Sequence, residues 1–288
     1  MNQEIAAQIT AHAEEIIALA AQITDAEQQP FGFRGLSCRD TEWEDAYPGP
    51  FHQMNLNVMV CGIWSGTTWL KKRLDMLQEG DLGWCQIGNF TPDSNGGRFS
   101  ISDADCKTII ASVRDHPRNS HHYYLADEPN LTNLSDEDRA QNLSTISARS
   151  ELCHQADPHP DTATALGDYR QAQLEPGIWG GVVDQVWLSG YPSPNAIADP
   201  NRIPDQARWC DQNGIDYLFF LSAHDYQGDQ PAYPTESEFS TAYAQIRETQ
   251  AKGIVLYTFY DEEGQTHLSD DPSPPLTGWA HVARTLAA

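Results

Sequence analysis

Lysine is nearly missing from this chain. Its 288 residues include only Lys71, Lys72, Lys107 and Lys252. The first three lie in helical patterns and Lys252 precedes the last strand-like run, so none ends a strand, and Schiff-base chemistry or a lysine base at a strand end is set aside. The 17 basic residues face 41 acidic ones, a formal net charge of −24. That balance repels phosphate backbones and anionic lipid surfaces, which removes nucleic acid and membranes from the expected partners. No stretch approaches the roughly 18 consecutive apolar residues of a membrane span, and the start MNQEIAAQIT lacks the basic residues and apolar core of a secretion signal. The expectation is a cytoplasmic protein, or a mature or excised fragment of an exported one. Motifs are missing as well. No GxGxxG or GxxxxGKS/T follows a strand-like run, so no loop is built to cradle a phosphate. The cysteines Cys38, Cys61, Cys85, Cys106, Cys153 and Cys210 form no CxxC and no Cys/His cluster with zinc spacing, and read as small buried residues with free thiols.

What is present is a large apolar complement, 40% of the chain, with 8 Trp, 11 Tyr and 9 Phe to fill a core. Residues 1–29 read as one helix in which Ile5, Ile9, His12, Ile16, Leu19 and Ile23 alternate spacings of four and three. This is the seam of a coiled coil that could join subunits into a homo-oligomer, or a stripe that packs on the rest of the chain. From residue 30 to 288 the chain repeats short β-like runs, over 31–38, 55–64, 83–90, 121–128, 162–169, 183–191, 215–225 and 254–261. Several are almost continuously apolar, as strands covered on both faces of a parallel sheet are. Helical patterns cover Thr68 to Gln78, Asp103 to Arg114, Asp136 to His154, Asp205 to Gln212, Glu236 to Lys252 and Gly278 to Ala287. They are weak after the first and fifth strands. Eight strands alternating with helices predict an α/β fold, a (β/α)8 TIM barrel preceded by the N-terminal helix, with a doubly wound open sheet as the rival.

Such barrels react at the C-terminal ends of their strands. The segment His121 to Asn130, HHYYLADEPN, is therefore the most informative in the sequence, because an aromatic run stops at Asp127 and Glu128 and Pro129 forbids the ladder to continue. Carboxyl groups at such a rim are placed for proton transfer, the lesser alternative being that Asp127 caps the following helix or turn. The other strand ends contribute Trp64, Asn89, Asp168, Tyr191, His224 with Asp225, and Tyr260 with Asp261. Acids there can serve as acid, base or nucleophile, and the flat faces of Trp64, Tyr191 and Tyr260 suit the C–H faces of a sugar ring. Long loops rich in Gly, Pro and Asn after the third and sixth strands would wall this mouth.

The Asp127-Glu128-Pro129 triplet at the end of the fourth strand resembles the Asn-Glu-Pro of the (β/α)8-barrel glycoside hydrolases, in many of which that glutamate is the general acid/base. The resemblance implies that Glu128 protonates the glycosidic oxygen and that Asp127 stands where the family's asparagine holds substrate hydroxyls. The family's second carboxylate commonly ends the seventh strand as glutamate. This chain has Asp225 beside His224 there, a shorter acid off the expected position, so Asp168 or Asp261 could hold the role instead. The implied activity is hydrolysis of an oligo- or polysaccharide with no metal and no cofactor. Two other classes stay open: a noncatalytic carbohydrate-binding or assembly module, and a metal-dependent hydrolase drawing on His121, His122, Cys153, His154, His159 and His224, whose spacings match neither HxH nor HExxH.

Overall fold

The computed structural model describes residues 31–37, 43–62, 67–127, 129, 131, 133–166, 179–190, 201–222, 236–257 and 286. Two compact units divide the chain, Met1–Gly32 and Phe33–Ala288. The expected N-terminal helix over 1–29 lies outside the described residues, as does nearly all of the helix expected from Gly278 to Ala287.

The second unit alternates strands and helices in chain order: β1 (Phe33–Ser37), α1 (Trp43–Ala46), α2 (Gly49–Gln53), β2 (Val58–Cys61), α3 (Thr67–Met76), β3 (Leu82–Gln86), β4 (Phe90–Thr91), β5 (Arg98–Phe99), α4 (Asp103–Val113), β6 (Asn119–Ala126), α5 (Asp136–Ala156), β7 (Asp161–Leu166), β8 (Gln185–Ser189), α6 (Arg202–Asn213), β9 (Asp216–Ser222), α7 (Glu236–Arg247) and β10 (Gly253–Tyr257). Every pairing in the main sheet is parallel, and the order β1-β2-β3-β6-β7-β8-β9-β10 returns to β1, so the sheet closes. Closure disposes of the open doubly wound sheet. Each of the eight strand-like runs supplies one barrel strand. Described helices follow six of them, and the residues directly after β7 (167–178) and β10 (258–285) lie outside the described set. The first connection, expected to be weakly helical, holds the short helices α1 and α2.

The apolar continuity of the strands is explained by their two covered faces. β2 and β8 are buried at every position, as strands walled by helices outside and a filled barrel inside must be. Alternate residues point into that interior: Phe33, Val58, Val60, Leu82, Trp84, Tyr124, Trp187, Leu218, Phe220 and Val255 form one cluster. Trp84 on β3 and Trp187 on β8 meet edge to face, their ring centroids 4.6 Å apart, although β6 and β7 stand between their strands in the ring. Only a contact across the barrel does this. Trp187 also lies 4.6 Å from Tyr124 and 4.9 Å from Phe220, so aromatic rings plug the interior where aliphatic layers are usual. Room for them comes in part from Gly35, where an added Cβ would lie 2.9 Å from Val255 Cγ2.

Helix ends are written into the sequence. The hydroxyls of Ser102 and Ser135 accept the backbone N–H groups of Asp105 and Asp138 at the starts of α4 and α5, and acids fill both first turns, where the helix dipole favours them. α6 stops at Gly214, whose left-handed φ of 63° suits a residue without Cβ.

Candidate active site

Inward-facing positions turn polar toward the C-terminal ends of the strands. On β3 Trp84 is followed two residues later by Gln86, and on β8 Trp187 by Ser189, both buried. This change marks the mouth, because a residue two places further on the same face leaves the aromatic plug and meets loops. Gln86 Nε2 donates to Asn89 Oδ1 at 2.7 Å. Asn89 is half-buried and exchanges hydrogen bonds with Ser100, accepting its N–H at the backbone carbonyl at 2.8 Å and donating to its hydroxyl at 3.0 Å. Ser189 Oγ accepts from Arg202 Nη2 at 3.0 Å, and its carbonyl accepts from Gln206 Nε2 at 3.0 Å, which ties the start of α6 to the rim.

Asp127 sits directly after β6, exposed, and its Oδ1 accepts the Tyr124 hydroxyl at 2.7 Å. Tyr124 itself is buried against Trp187, so a ring anchored in the barrel interior holds a carboxylate at the mouth. The register of β6 against β7 shifts between Tyr124 and Ala126. The shift lets a residue three places along the strand fall back within reach of the tyrosine, where strict alternation would put it on the other face. Pro129 and Leu131 are buried just beyond.

Of the other expected site residues, Glu128, Trp64, Asp168, Tyr191, His224, Asp225, Tyr260 and Asp261 lie outside the described residues. Along the chain each follows the last residue of a barrel strand by two to four positions, Trp64 after Cys61 and Asp261 after Tyr257 for example. The loop after β3, expected as a wall, is a hairpin of β4 and β5. Asp93 shapes its turn: Oδ1 accepts the N–H groups of Asn95 and Gly97 at 2.6 and 3.1 Å, and these bonds hold its carboxyl below the ordinary carboxylate value. Asn142 and Thr145 of α5 fasten the hairpin through Asp93 and Gly96. Sequence reasoning passed over Gln86, Tyr124, Ser189 and Arg202. A period-two reading of each strand's last three residues would have singled out the first three.

The described histidines sit elsewhere. His121 and His122 lie in the first half of β6, at the end of the barrel opposite the mouth, where His121 Nδ1 is 2.9 Å from Asp157 Oδ2 and His122 Nε2 is 2.8 Å from Asp161 Oδ2. His52, His116 and His154 also each meet an aspartate within 3.0 Å. Among the described residues no group of three or more His, Cys, Asp or Glu side chains is gathered to hold a metal ion, and no helix is long and apolar enough to cross a membrane.

No family model and no curated protein matches the chain. Solved structures do. A β-galactosidase from the psychrophilic Marinomonas ef1 superposes with a TM-score of 0.65 at 8% identity, over 88% of this chain and 59% of its own. A β-galactosidase from Bacillus circulans sp. alkalophilus gives 0.64 at 10% identity, over 91% and 56%. A GH2 β-galacturonidase from Eisenbergiella tayi, bound to galacturonate, gives 0.61 at 11% identity, over 88% and 50%. The chain thus spans between half and three-fifths of the length of these enzymes. What the likeness establishes is the fold: this chain carries the α/β barrel architecture found in these glycoside hydrolases.

Proposed function

We propose that the chain carries a (β/α)8 TIM barrel that hydrolyses glycosidic bonds, with Glu128 as the proton donor. The observation that carries this reading is the placement of Asp127. It is the described neighbour of Glu128, it stands where the fourth barrel strand surfaces, and its carboxylate is steadied by Tyr124. Asp225 is the partner carboxylate in this reading, with Asp168 in reserve. Asp127, Asn89, His224 and Asp261 hold sugar hydroxyls, and Trp64, Tyr191 and Tyr260 offer stacking faces. The chemistry asks for no metal and no cofactor. Glu128 gives its proton to the leaving oxygen, and the partner either attacks the anomeric carbon or draws a proton from an attacking water.

The similar structures include β-galactosidases and a β-galacturonidase, so β-linked galactosides and uronides are the substrates to offer first. A net charge of −24 disfavours an anionic uronide. Incubation with a panel of both, with binding and the release of new reducing ends followed together, is expected to show cleavage of a neutral β-glycoside. Binding without any new reducing end would instead support a noncatalytic carbohydrate-binding module.

A further inference from the structure

Two histidines that the glycosidase reading leaves unused come together at the end of the barrel opposite the mouth. His121 belongs to the first half of β6, and His159 lies in the short connection from α5 to β7. Their ring centroids are 6.0 Å apart and the rings stand at 85° to one another. One carboxylate, Asp157, holds both residues. It is closed to solvent, its Oδ2 accepts from His121 Nδ1 at 2.9 Å, and its Oδ1 accepts the backbone N–H of His159 at 2.9 Å.

The backbone is bent to bring His121 there. Its φ of 61° is left-handed, which is uncommon for a residue with a Cβ and foreign to a regular strand. Asn119 and Tyr123 of β6 pair with Gly83 and Cys85 of β3, so β6 bulges over this stretch. Such bulges re-aim a side chain. The side chain re-aimed here is His121, 32% exposed beside the buried His122 and Tyr123.

The tautomer of His121 follows from Asp157. Burial alone would raise that carboxyl, but the bonds from Tyr123, His121 and the His159 N–H outweigh it and hold it below the ordinary carboxylate value. An ionised acceptor at Nδ1 keeps a proton on that nitrogen, so the neutral ring offers the lone pair of Nε2. A carboxylate behind Nδ1 is the usual outer partner of a metal-binding imidazole, because it sets the ring and raises its basicity. Neither His121 Nε2 nor a ring nitrogen of His159 is spent on a hydrogen bond among the described residues. With Zn–N bonds of about 2.0–2.1 Å, two imidazoles on one ion have their centroids roughly 5–6 Å apart. His159 is exposed, so its ring is free to turn onto a shared ion.

We propose that His121 and His159 form a binding site for a divalent transition-metal ion of the zinc type, held through His121 Nε2 and a ring nitrogen of His159 with water in the remaining positions. The ion ties the start of β6 to the connection that leads into β7, at the other end of the barrel from the carboxylates of the mouth. Two protein nitrogens bind more weakly than the three or four ligands of a catalytic or structural centre, and the net charge of −24 gathers cations around the chain.

The test titrates the chelator-stripped full chain with zinc ion alone near neutral pH by calorimetry, and maps the site by diethyl pyrocarbonate labelling of histidines with and without zinc, read by peptide mass mapping. The expected result is saturable uptake, with His121 and His159 losing their label together while His154, exposed at the end of α5, keeps its own. D157N, which removes the charge behind Nδ1, is expected to weaken binding by about ten- to a hundred-fold, and H121Q and H159Q each at least as much. No saturable uptake, protection that falls only on other histidines, or wild-type affinity in both H121Q and H159Q would overturn the proposal. The wild-type footprint decides the matter even if a variant folds poorly, and glycosidase activity plays no part in it.

Discussion

Replacing Glu128 by glutamine is expected to lower kcat on the best glycoside by about a hundred- to ten-thousand-fold, the share that a positioned general acid ordinarily supplies. Glutamine keeps the size and the hydrogen-bonding reach of the side chain but has no proton to give a leaving oxygen. The barrel should be indifferent to the change, because the interior cluster beneath the mouth is built from Phe33, Trp84, Tyr124, Trp187 and Phe220. Tm is therefore expected to stay within about a degree, since surface exchanges away from core and networks usually cost less than about 0.5 kcal/mol. A substrate whose leaving group departs without protonation, such as a dinitrophenyl glycoside, should recover part of the lost rate. Equal kcat for E128Q and the wild type would take the proton-donor role away from Glu128.

The largest stability effect is expected at the opposite end of the barrel. Asp157 caps the end of α5, its side chain is closed to solvent, and it gathers three donors: the Tyr123 hydroxyl, the His121 ring at 2.9 Å and the backbone N–H of His159 at 2.9 Å. Burial alone would push its carboxyl up. The bonds from Tyr123, His121 and His159 outweigh burial and hold it below the ordinary carboxylate value. Tyr123, also buried and bonded to Asp157, is pushed up in turn. Asp157→Ala strips all three donors of their acceptor, and with about 1–3 kcal/mol for each buried group left unsatisfied, partly relieved by relaxation, a loss of about 3 kcal/mol is expected. In a domain of this size that corresponds to a Tm lower by about 6–12 °C.

The pH dependence of this loss has a definite sign. A carboxyl whose folded value lies below its unfolded value of about 3.9 contributes stability that is present in full above that value and disappears as pH falls through the folded one. Thermal melts of wild type and D157A should therefore differ most from neutral pH down to about 5, and the gap should close below about pH 4. An equal gap at pH 3 and pH 7 would mean that the carboxylate charge contributes nothing and that only packing is lost.

The strands were readable because their physics is local. Runs such as NLNVMVCGIW and VDQVWLSGY are apolar at consecutive positions, which two covered faces require, and they became β2 and β8 within a few residues. The β4–β5 hairpin escaped because its strands have two residues each, too short to show a period, and are held by Asp93, Asn142 and Thr145 instead of by apolar alternation. α1 and α2 were obscured by the prolines of AYPGPF, which weaken a helical pattern, although Pro50 sits in the first turn of α2, where proline is tolerated.

At the site, sequence named strand ends but not the contacts made there. Tyr124 and Asp127 are three apart, a spacing that places side chains on opposite faces of a regular strand, and only the register shift near Ala126 makes them partners. Contacts set by tertiary packing leave no trace in local periodicity.

The central claim is that acids distant in sequence become neighbours where the barrel strands end. The direct measurement is the distance from the Glu128 carboxyl to those of Asp168, Asp225 and Asp261 in a crystal structure. The account predicts that one of them lies about 5–9.5 Å away across an open mouth, with the short end of that range marking a covalent glycosyl intermediate and the long end an attacking water. A Glu128 carboxyl farther than that from all three would contradict it.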